Sequence, residues 1–459
     1  MRRHLITLLL FSSLALPVAA QQADAGRPAG IELITRYDPA TRPVLSVRPF
    51  TGAAALRAAV DSVTRIVTRD LEYSGRFTML PAPAALARGA VDYKQWNALR
   101  VVYVVTGEVT ATAGGYELDL AVHDVVYGRL RQAVRLRLPA ASAQDFRLSV
   151  HAASDEAVRM ITGTPGIAAT RIAFTRQNPR AGGASVTYDL LLVDSDGFGM
   201  RRLSGSSGLI YSPDWSPDGS RLLYTQNVGG WRLLERDMAS GTSRRIDVGA
   251  ASSINTPAYS PDGRRIVLSL WRETDMELYQ YDLAGNCCLR RLTTSRLEDQ
   301  SASYSPDGRR LVFMSSRLGN PHIYVMAAEG GGAQLVSPFV RGQRGYYTSP
   351  DWSPTGSRIA FHGHWNSRGT YQIMLADADR PGAQIRQLTS EGANEDPSWA
   401  PDGRHLVYTH AGVRSGAAGL YVIDTETGNR RPLVTGSAGF RLADWSPPLL
   451  RAATLIVNP

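Results

Sequence analysis

The chain has 459 residues, which at ~150 residues per domain allows about three domains unless a large repeat fold fills it. Hydrophobic residues make up 43% and charged residues 20%, which excludes wholesale disorder, a coiled coil and collagen. The formal charge of +9 comes largely from arginines that are scattered rather than clustered. A nucleic-acid-binding protein usually has a dense basic stripe, so we expect no nucleic-acid partner.

The first twenty residues have the features of a secretory signal peptide. Arg2 and Arg3 precede an apolar run from Leu5 to Leu16, and Val18-Ala19-Ala20 supplies the small residues of a cleavage site. The run is shorter than the ~20 residues that span a bilayer, and no later stretch is long and apolar enough to be a second candidate. We therefore predict that residues 1–20 are removed after Ala20 and that the mature protein is exported without a membrane span.

Export permits disulfides, yet Cys287 and Cys288 are the only cysteines, and they are adjacent. Adjacent cysteines rarely pair, and a metal or redox site favours wider spacing and more ligands. Two thiols in a turn and a bond between neighbours both remain open. In either case we expect stability to come from core burial.

Residues 21–165 predict a small α/β domain. Val44–Val47 is a predicted strand, and Leu56, Val60, Val63 and Val67 recur at helical spacing before Gly75. Three longer strands are predicted at 100–110, 116–125 and 130–138, and a closing helix at 142–162. The sequence therefore predicts an α+β N-terminal domain of mixed sheet with two or three helices.

The second half of the chain is organised by a repeated segment of an aromatic residue, Ser or Ala, Pro, Asp or Thr, and Gly. Its copies begin at Trp215, Tyr259, Tyr304, Trp352 and Trp399, and a truncated copy begins at Trp445. Their prolines are 44 to 48 residues apart, a period typical of propellers. Three apolar, β-rich runs follow each copy, and one short run precedes it. Four strands per repeat make one propeller blade.

The two ends of this region complement each other. Arg171–Ser204 has three strands of a blade without the repeated segment, and Ala443–Pro447 has the first strand with only a short tail. We therefore predict that residues 166–459 form an all-β six-bladed propeller whose composite closing blade is shared between the two ends. Such closure leaves no free sheet edge.

Four carboxylates recur at regular spacing and raise the question of a catalytic or metal-binding role: Asp218, Asp262, Asp307 and Asp402. Pro-Asp-Gly between two apolar strands is a turn, in which proline fixes φ, Asp bonds local backbone and Gly takes a positive φ. Thr355 replaces one of the Asp residues without breaking the pattern. We predict that these residues are structural, and that each preceding aromatic packs between neighbouring blades.

Several segments resemble one family in particular. They are His151-Ala152-Ala153-Ser154-Asp155-Glu156, Ile161-Thr162-Gly163, Arg171-Ile172-Ala173-Phe174, Tyr188-Asp189-Leu190, Asp194-Ser195-Asp196-Gly197-Phe198 and the final Trp445-Ser446-Pro447. With an export signal and an α/β domain ahead of the propeller, the chain resembles the TolB family, the periplasmic component of the Tol–Pal system. The resemblance covers nearly the whole mature chain.

The resemblance implies a non-enzymatic periplasmic binding protein without a cofactor. Family members bind the peptidoglycan-associated lipoprotein Pal through one mouth of the propeller and TolA through a segment just after the signal peptide. These contacts couple inner-membrane energy to outer-membrane invagination during cell division. The segment for TolA corresponds here to Ile31-Glu32-Leu33-Ile34-Thr35-Arg36-Tyr37, and Gln22 to Gly30 precede it as extra polar residues. We expect a monomer with these partners and, by extension, other Tol or outer-membrane proteins.

The propeller mouth is predicted from the strands that precede the repeated segments, because these inner strands converge on the central channel. The family's Pal contacts correspond to 253–256 and 300–301. The predicted site is Ser253, Ile254, Asn255, Thr256, Gln300, Ser301, Tyr347, Glu395 and Asp396.

Two other classes of function stay open from the residues alone. Some peptidases join a propeller to a hydrolase domain, but no G-x-S-x-G segment is present here. Some polysaccharide lyases hold a metal on channel histidines, and His362 and His364 would share one strand face, yet no third ligand is evident and we predict no metal. A scaffold for another periplasmic ligand would use the same fold.

Overall fold

The structure, a computed structural model, describes residues 42–178, 186–205, 208–340, 342, 345–365, 369–382, 384–412, 418–436 and 439–456. These residues belong to one compact unit, Pro39–Pro459. A second unit, Met1–Asp38, lies outside the described residues, as does the predicted signal peptide. None of the described helices is both long and apolar enough to cross a bilayer.

The N-terminal part is one sheet with three α-helices. Its strands are β1 (Val44–Val47), β2 (Thr51–Gly52), β3 (Thr78–Met79), β4 (Tyr103–Thr112), β5 (Gly115–Asp124) and β6 (Arg129–Pro139). Its helices are α1 (Arg57–Tyr73), α2 (Tyr93–Ala98) and α3 (Phe146–Thr162), with short 3-10 turns at Ala54–Leu56 and Ala84–Leu86. The order β3-β1-β4-β5-β6, with β2 beside β4, is parallel from β3 to β4 and antiparallel beyond.

The apolar periodicity of the sequence places the core of this domain. Val63 and Val67 of α1 and Val150 of α3 are buried in one cluster with alternate residues of β5 and β6. The predicted α1 is confirmed. The closing helix begins at Phe146 rather than at Ser142, because the preceding residues form a turn in which the Ala143 N–H donates to the Ala140 carbonyl.

The rest of the chain is a propeller of six four-stranded sheets. From inner to outer strand, blades 1, 2 and 3 are β10–β13 (Leu209–Trp215, Arg221–Asn227, Trp231–Asp237, Ser243–Ile246), β14–β17 (Ser253–Tyr259, Arg265–Arg272, Asp275–Asp282, Cys287–Arg291) and β18–β21 (Asp299–Tyr304, Arg310–Ser315, His322–Ala327, Gln334–Leu335). Blades 4 and 5 are β22–β25 (Tyr346–Trp352, Arg358–His364, Gln372–Asp377, Arg386–Gln387) and β26–β29 (Ala393–Trp399, His405–Ala411, Gly419–Asp424, Arg430–Thr435). Blade 6 is β30 (Phe440–Trp445), β7 (Arg171–Gln177), β8 (Tyr188–Asp194) and β9 (Arg201–Arg202).

Blade 6 confirms the predicted composite blade. β30 pairs antiparallel with β7, with Phe440 opposite Arg176 and Trp445 opposite Ile172. After β30 the tail turns back to the N-terminal domain, where the Arg137 N–H donates to the Leu455 carbonyl.

The repeated segments form the turns between the first and second strands. In blade 2, Asp262 accepts hydrogen bonds from the Ser260 hydroxyl and the Arg264 N–H, and Gly263 has φ +67°. Asp218 and Asp307 make the same local contacts, and Asp402, which follows Ala400, accepts the backbone N–H groups of Arg404 and His405, so their predicted structural role is confirmed. The aromatic residue of each segment packs on the preceding blade, as Trp215 does on Leu190 and Leu192 of blade 6.

Cys287 and Cys288 form a disulfide at the exposed start of β17. Of the two alternatives left open by the sequence, the structure has the bond between neighbours.

The segments that resemble the TolB family meet where the N-terminal domain joins the propeller. Arg147 of α3 binds two carboxylates, one at the end of β8 and one just after it, with Nε 3.0 Å from Asp194 Oδ2 and Nη2 2.7 Å from Asp196 Oδ2. The fully buried His151 places Nδ1 2.8 Å from Asp70 Oδ2 of α1. This ionic network, which we call the junction network, connects three elements, and its histidine and carboxylates are buried while Arg147 is partly exposed.

A second part of the junction is made by Asp155, whose carboxylate accepts the N–H groups of Ala168 at 2.7 Å and Ala169 at 2.9 Å. Burial raises the pKa of Asp155 to about 7, against the effect of these two backbone donors. Gly166 must be glycine here, because a Cβ on it would lie 2.4 Å from Asp155 Oδ1. The linker between the domains is thus fixed to α3.

Candidate functional site

The inner strands surround a central channel and share one unusual feature. Each strand has a bulge three residues before its aromatic, at a residue whose φ lies between 42° and 56°. These residues are Ser212, Thr256, Ser301, Ser349, Asp396 and Leu442, and all of them line a cavity of about 130 Å³. A left-handed conformation costs a non-glycine residue roughly 1–2 kcal/mol, and such strain gathers where side chains are held in a fixed direction for function.

A ring of three carboxylates lies deeper in the same channel. Asp214, Asp351 and Asp444 each accept the backbone N–H of an aromatic from another blade, and Asp444 Oδ2 is 2.7 Å from the Trp215 nitrogen. Burial raises the pKa of Asp351 to about 6. The pKa of Asp444 is raised to about 7, mainly by burial and to a smaller extent by the charge of Asp351. Burial and then the charge of Asp444 raise the pKa of Asp214. The ring therefore carries fewer than three negative charges near neutral pH.

The channel opens on the face where second strands turn into third strands and where each blade connects to the next. We call this the mouth face, and the opposite side, with the Pro-Asp-Gly turns, the turn face. Asn255 and Gln300 lie half-buried at the mouth, and the Asn255 amide donates to the Ser253 hydroxyl. Thr256 Oγ1 accepts the Ser301 N–H at 3.1 Å, which joins blades 2 and 3.

Blade 5 supplies the two acidic residues of the predicted site. Asp396 accepts a hydrogen bond from the Ser349 hydroxyl at 3.0 Å, and its own N–H donates to His362 Nδ1. Burial, and then the charge of Asp396, raise the pKa of Glu395. Seven of the nine predicted mouth residues therefore lie along the channel or its rim.

Two of the predicted mouth residues are placed elsewhere. Ile254 is 4% exposed and packs between blades 1 and 2. Tyr347 is 1% exposed, and its ring contacts those of His322, Phe361 and Trp365. The prediction that Tyr347 offers an exposed aromatic at the rim is therefore wrong.

Sequence reasoning missed an exposed apolar surface on blades 3 and 4 of the mouth face. Its members lie in the turns and connections there and are 40% to 53% exposed: Leu297, Leu318, Phe339, Val340 and Trp365. We call them the apolar arc. Two of them, Phe339 and Trp365, are connected through buried rings, because Phe339 contacts His322, His322 contacts Tyr347, and Tyr347 contacts Trp365. Large apolar residues in a connecting segment such as Ser337-Pro338-Phe339-Val340 were the signal that could have indicated them.

The described residues contain one group of three side chains with metal-ligand chemistry, namely Asp70, His151 and Asp196 of the junction network. Arg147 occupies one side of this group, with Nη2 2.7 Å from Asp196 and 3.3 Å from His151 Nε2. It therefore acts as an ion-pair network. In the channel, His362 Nδ1 is occupied as the acceptor of the Asp396 N–H, so it offers no free ligand atom on that side.

The predicted TolA-binding segment, Ile31–Tyr37, lies outside the described residues. The described part of the chain begins at Arg42, just before β1.

Comparison with known proteins agrees with this architecture. The family model of the TolB amino-terminal domain matches residues 34–130, and that of the TolB beta propeller domain matches residues 158–449. The Tol-Pal system protein TolB of Xanthomonas campestris pv. campestris (strain B100) is 31% identical over 454 residues, which cover 97% of this chain and 99% of that relative. The TolB of Alcanivorax borkumensis is 32% identical over 237 residues, so that match spans 50% of this chain and only about half, 52%, of the relative.

Among solved structures, the crystal structure of TolB from Acinetobacter baumannii superposes with a TM-score of 0.75 and 27% identity, over 89% of this chain and 97% of that one. The propeller model alone matches more than half of the chain, and the Xanthomonas relative is matched over almost its full length. The chain is therefore a member of the TolB family of Tol-Pal system proteins.

Proposed function

We propose that the protein is a non-enzymatic periplasmic component that binds the lipoprotein Pal at the mouth face and TolA through Ile31–Tyr37. In this role it maintains the outer membrane and supports its invagination during cell division. The observation that supports the proposal for Pal is that the propeller offers two kinds of surface: the strained polar ring along the channel and the exposed apolar residues of the mouth face. Protein interfaces combine apolar anchors with polar groups that fix orientation, and this face offers both.

The polar part of this surface is pre-organised. Thr256, Ser301 and Asp396 are held by bulges and by hydrogen bonds between blades, so their side chains lose little freedom on binding. The apolar arc adds exposed apolar side chains in the turns and connections of blades 3 and 4. The acidic residues Glu395 and Asp396 on blade 5 favour a partner surface with donors or positive charge opposite them.

Substituting Asn255→Arg and Gln300→Arg is expected to weaken binding of purified, lipid-free Pal at least tenfold, which corresponds to about 1.4 kcal/mol or more at the centre of an interface. Both side chains are half-buried at the rim, and neither has the left-handed backbone of Thr256, so folding is retained. Trp365→Ala on the apolar arc should weaken binding by a similar factor. Isothermal titration calorimetry measures each Kd.

The matched control is Arg264→Glu with Arg309→Glu, two exposed changes on the turn face. They should leave the Kd for Pal within about twofold. If they abolish binding while the rim variants bind normally, Pal uses the turn face and the assignment of the mouth is wrong.

Removing Gln22–Tyr37 should abolish TolA binding without lowering the melting temperature, because the described fold begins at β1, beyond this segment. Surface plasmon resonance against purified TolA measures the first effect and differential scanning calorimetry the second. Removing only Gln22–Gly30 is the control and should leave TolA binding intact. A truncated protein that melts many degrees lower would show that Ile31–Tyr37 is part of the fold instead.

A further inference from the structure

A cluster of exposed apolar side chains lies at one end of the N-terminal sheet, apart from the mouth. Val126 and Tyr127 occupy the turn between β5 and β6, Leu130 is the second residue of β6, and Leu99 follows α2. Their exposed fractions are 62%, 65%, 51% and 43%. The Val125 N–H donates to the Val102 carbonyl at 2.9 Å, which brings the two segments side by side. We call these four residues the hairpin tip.

The charges around the hairpin tip are positive. Arg100, Arg129 and Arg131 are exposed beside it, and the Arg129 guanidinium lies 5.4 Å from the centre of the Tyr127 ring. The one carboxylate in these two segments, Asp124, is buried, accepts the Tyr127 N–H at 3.2 Å and lies 3.6 Å from Arg131. The charge that the hairpin tip presents to solvent is therefore the positive charge of the arginines.

The area and shape of the hairpin tip favour a lipid surface over a folded protein as its partner. Four side chains exposed to this degree amount to on the order of 400 Å², about half of the ~800 Å² that each partner buries in a specific protein interface. The residues stand on a turn rather than in a groove, so they present a convex apolar end. Aromatic and aliphatic residues ringed by arginine suit the boundary between acyl chains and anionic headgroups.

We propose that the hairpin tip is a weak docking site for an anionic phospholipid bilayer. Val126, Tyr127, Leu130 and Leu99 enter the headgroup boundary, while Arg100 and Arg129 contact the phosphates. The contact is reversible, because so small an apolar surface anchors a protein only transiently. The site belongs to a different domain from the Pal surface and does not depend on it.

Binding is tested by co-sedimentation of the full mature chain with vesicles of phosphatidylethanolamine and phosphatidylglycerol, and with vesicles of phosphatidylcholine alone. We expect binding to the anionic vesicles that falls with added salt. Val126→Ser with Tyr127→Ser should lower the partition coefficient about tenfold through lost apolar burial. Arg100→Gln with Arg129→Gln should lower it at least tenfold through lost charge. Tyr127→Trp should add fluorescence that brominated phospholipid quenches.

The control separates a local site from the general attraction of a chain with net charge +9. Arg264→Gln with Arg309→Gln removes the same two charges from the turn face and should leave the partition coefficient within about twofold. The proposal is overturned if this pair weakens binding as much as Arg100→Gln with Arg129→Gln, or if the serine variant binds like the wild type. It is also overturned if the wild type does not bind anionic vesicles, or if the serine variant instead abolishes self-association of the chain.

Discussion

Replacing Trp445 with Ala is expected to destabilise the protein by about 3–5 kcal/mol, the usual cost of deleting a buried large aromatic. Trp445 is 5% exposed, packs on Val407 and Leu420 of blade 5, and donates its indole N–H to Thr170 Oγ1 at 2.8 Å. At roughly 2–4 °C per kcal/mol for a large domain, the melting temperature should fall by about 10 °C. Truncation before Phe440 removes the whole inner strand of blade 6 and should prevent the propeller from closing.

The control is Trp365→Ala, since Trp365 is 40% exposed on the mouth face and takes no part in joining the two ends of the propeller ring. It should change the free energy of unfolding by less than about 1 kcal/mol in urea titrations followed by circular dichroism. If the chain truncated before Phe440 melts like the full chain, the ring is held together without β30 and the closure has no energetic role.

The blade count and the composite closing blade could be predicted because the signal for them is local and recurs. Pro-Asp-Gly specifies a turn through φ, a side-chain hydrogen bond and a glycine, and the structure has all three at Asp262 and Gly263. Complementary fragments at the two ends then leave one way to avoid a free edge. The turn at Thr355 keeps only part of the pattern, with Oγ1 3.4 Å from the Ser353 hydroxyl but without a positive φ at Gly356.

The misplacement of Tyr347 shows that a strand pattern alone does not predict which side of the strand a residue faces. In a regular strand, residues five apart face opposite sides, so Tyr347 and the buried Trp352 should differ. The bulge at Ser349 shifts the alternation, and both are buried. The same shift buries Ile254 together with Tyr259. Nothing in Tyr346-Tyr347-Thr348 indicates a left-handed residue two positions on, so the exposed side of the inner strand could not be predicted.

The family segments were identified by resemblance, but their physical role emerges only in three dimensions. Arg147 and His151 lie near residue 150, while Asp70 is about eighty positions earlier and Asp194 and Asp196 are over forty later. No spacing rule connects positions on a helix, another helix and a propeller turn. Many of the residues that resemble the family therefore serve to fix the two domains to one another.

The junction network has an expected pH dependence that follows from His151. Burial lowers the pKa of this imidazole, but the charge and hydrogen bond of Asp70, and then the charges of Asp196 and Asp194, outweigh burial, so the net pKa is raised. The charged groups that face it are these three carboxylates and Arg147 from its own helix. Because the pKa is higher in the folded chain than the ordinary ~6.5, the ionised pair contributes fully below about pH 6.5 and is lost as the pH rises through the folded-state value.

His151→Gln should therefore cost about 3–5 kcal/mol of stability at pH 6, where it breaks a buried ion pair, and clearly less at pH 9. Urea unfolding of wild type and variant at both pH values measures the difference. His364→Gln, at the half-buried end of β23, is the matched control for replacing a histidine by glutamine. If the cost of His151→Gln is independent of pH, His151 is neutral in the folded protein, and the network is held by the pairs of Arg147 with Asp194 and Asp196 instead.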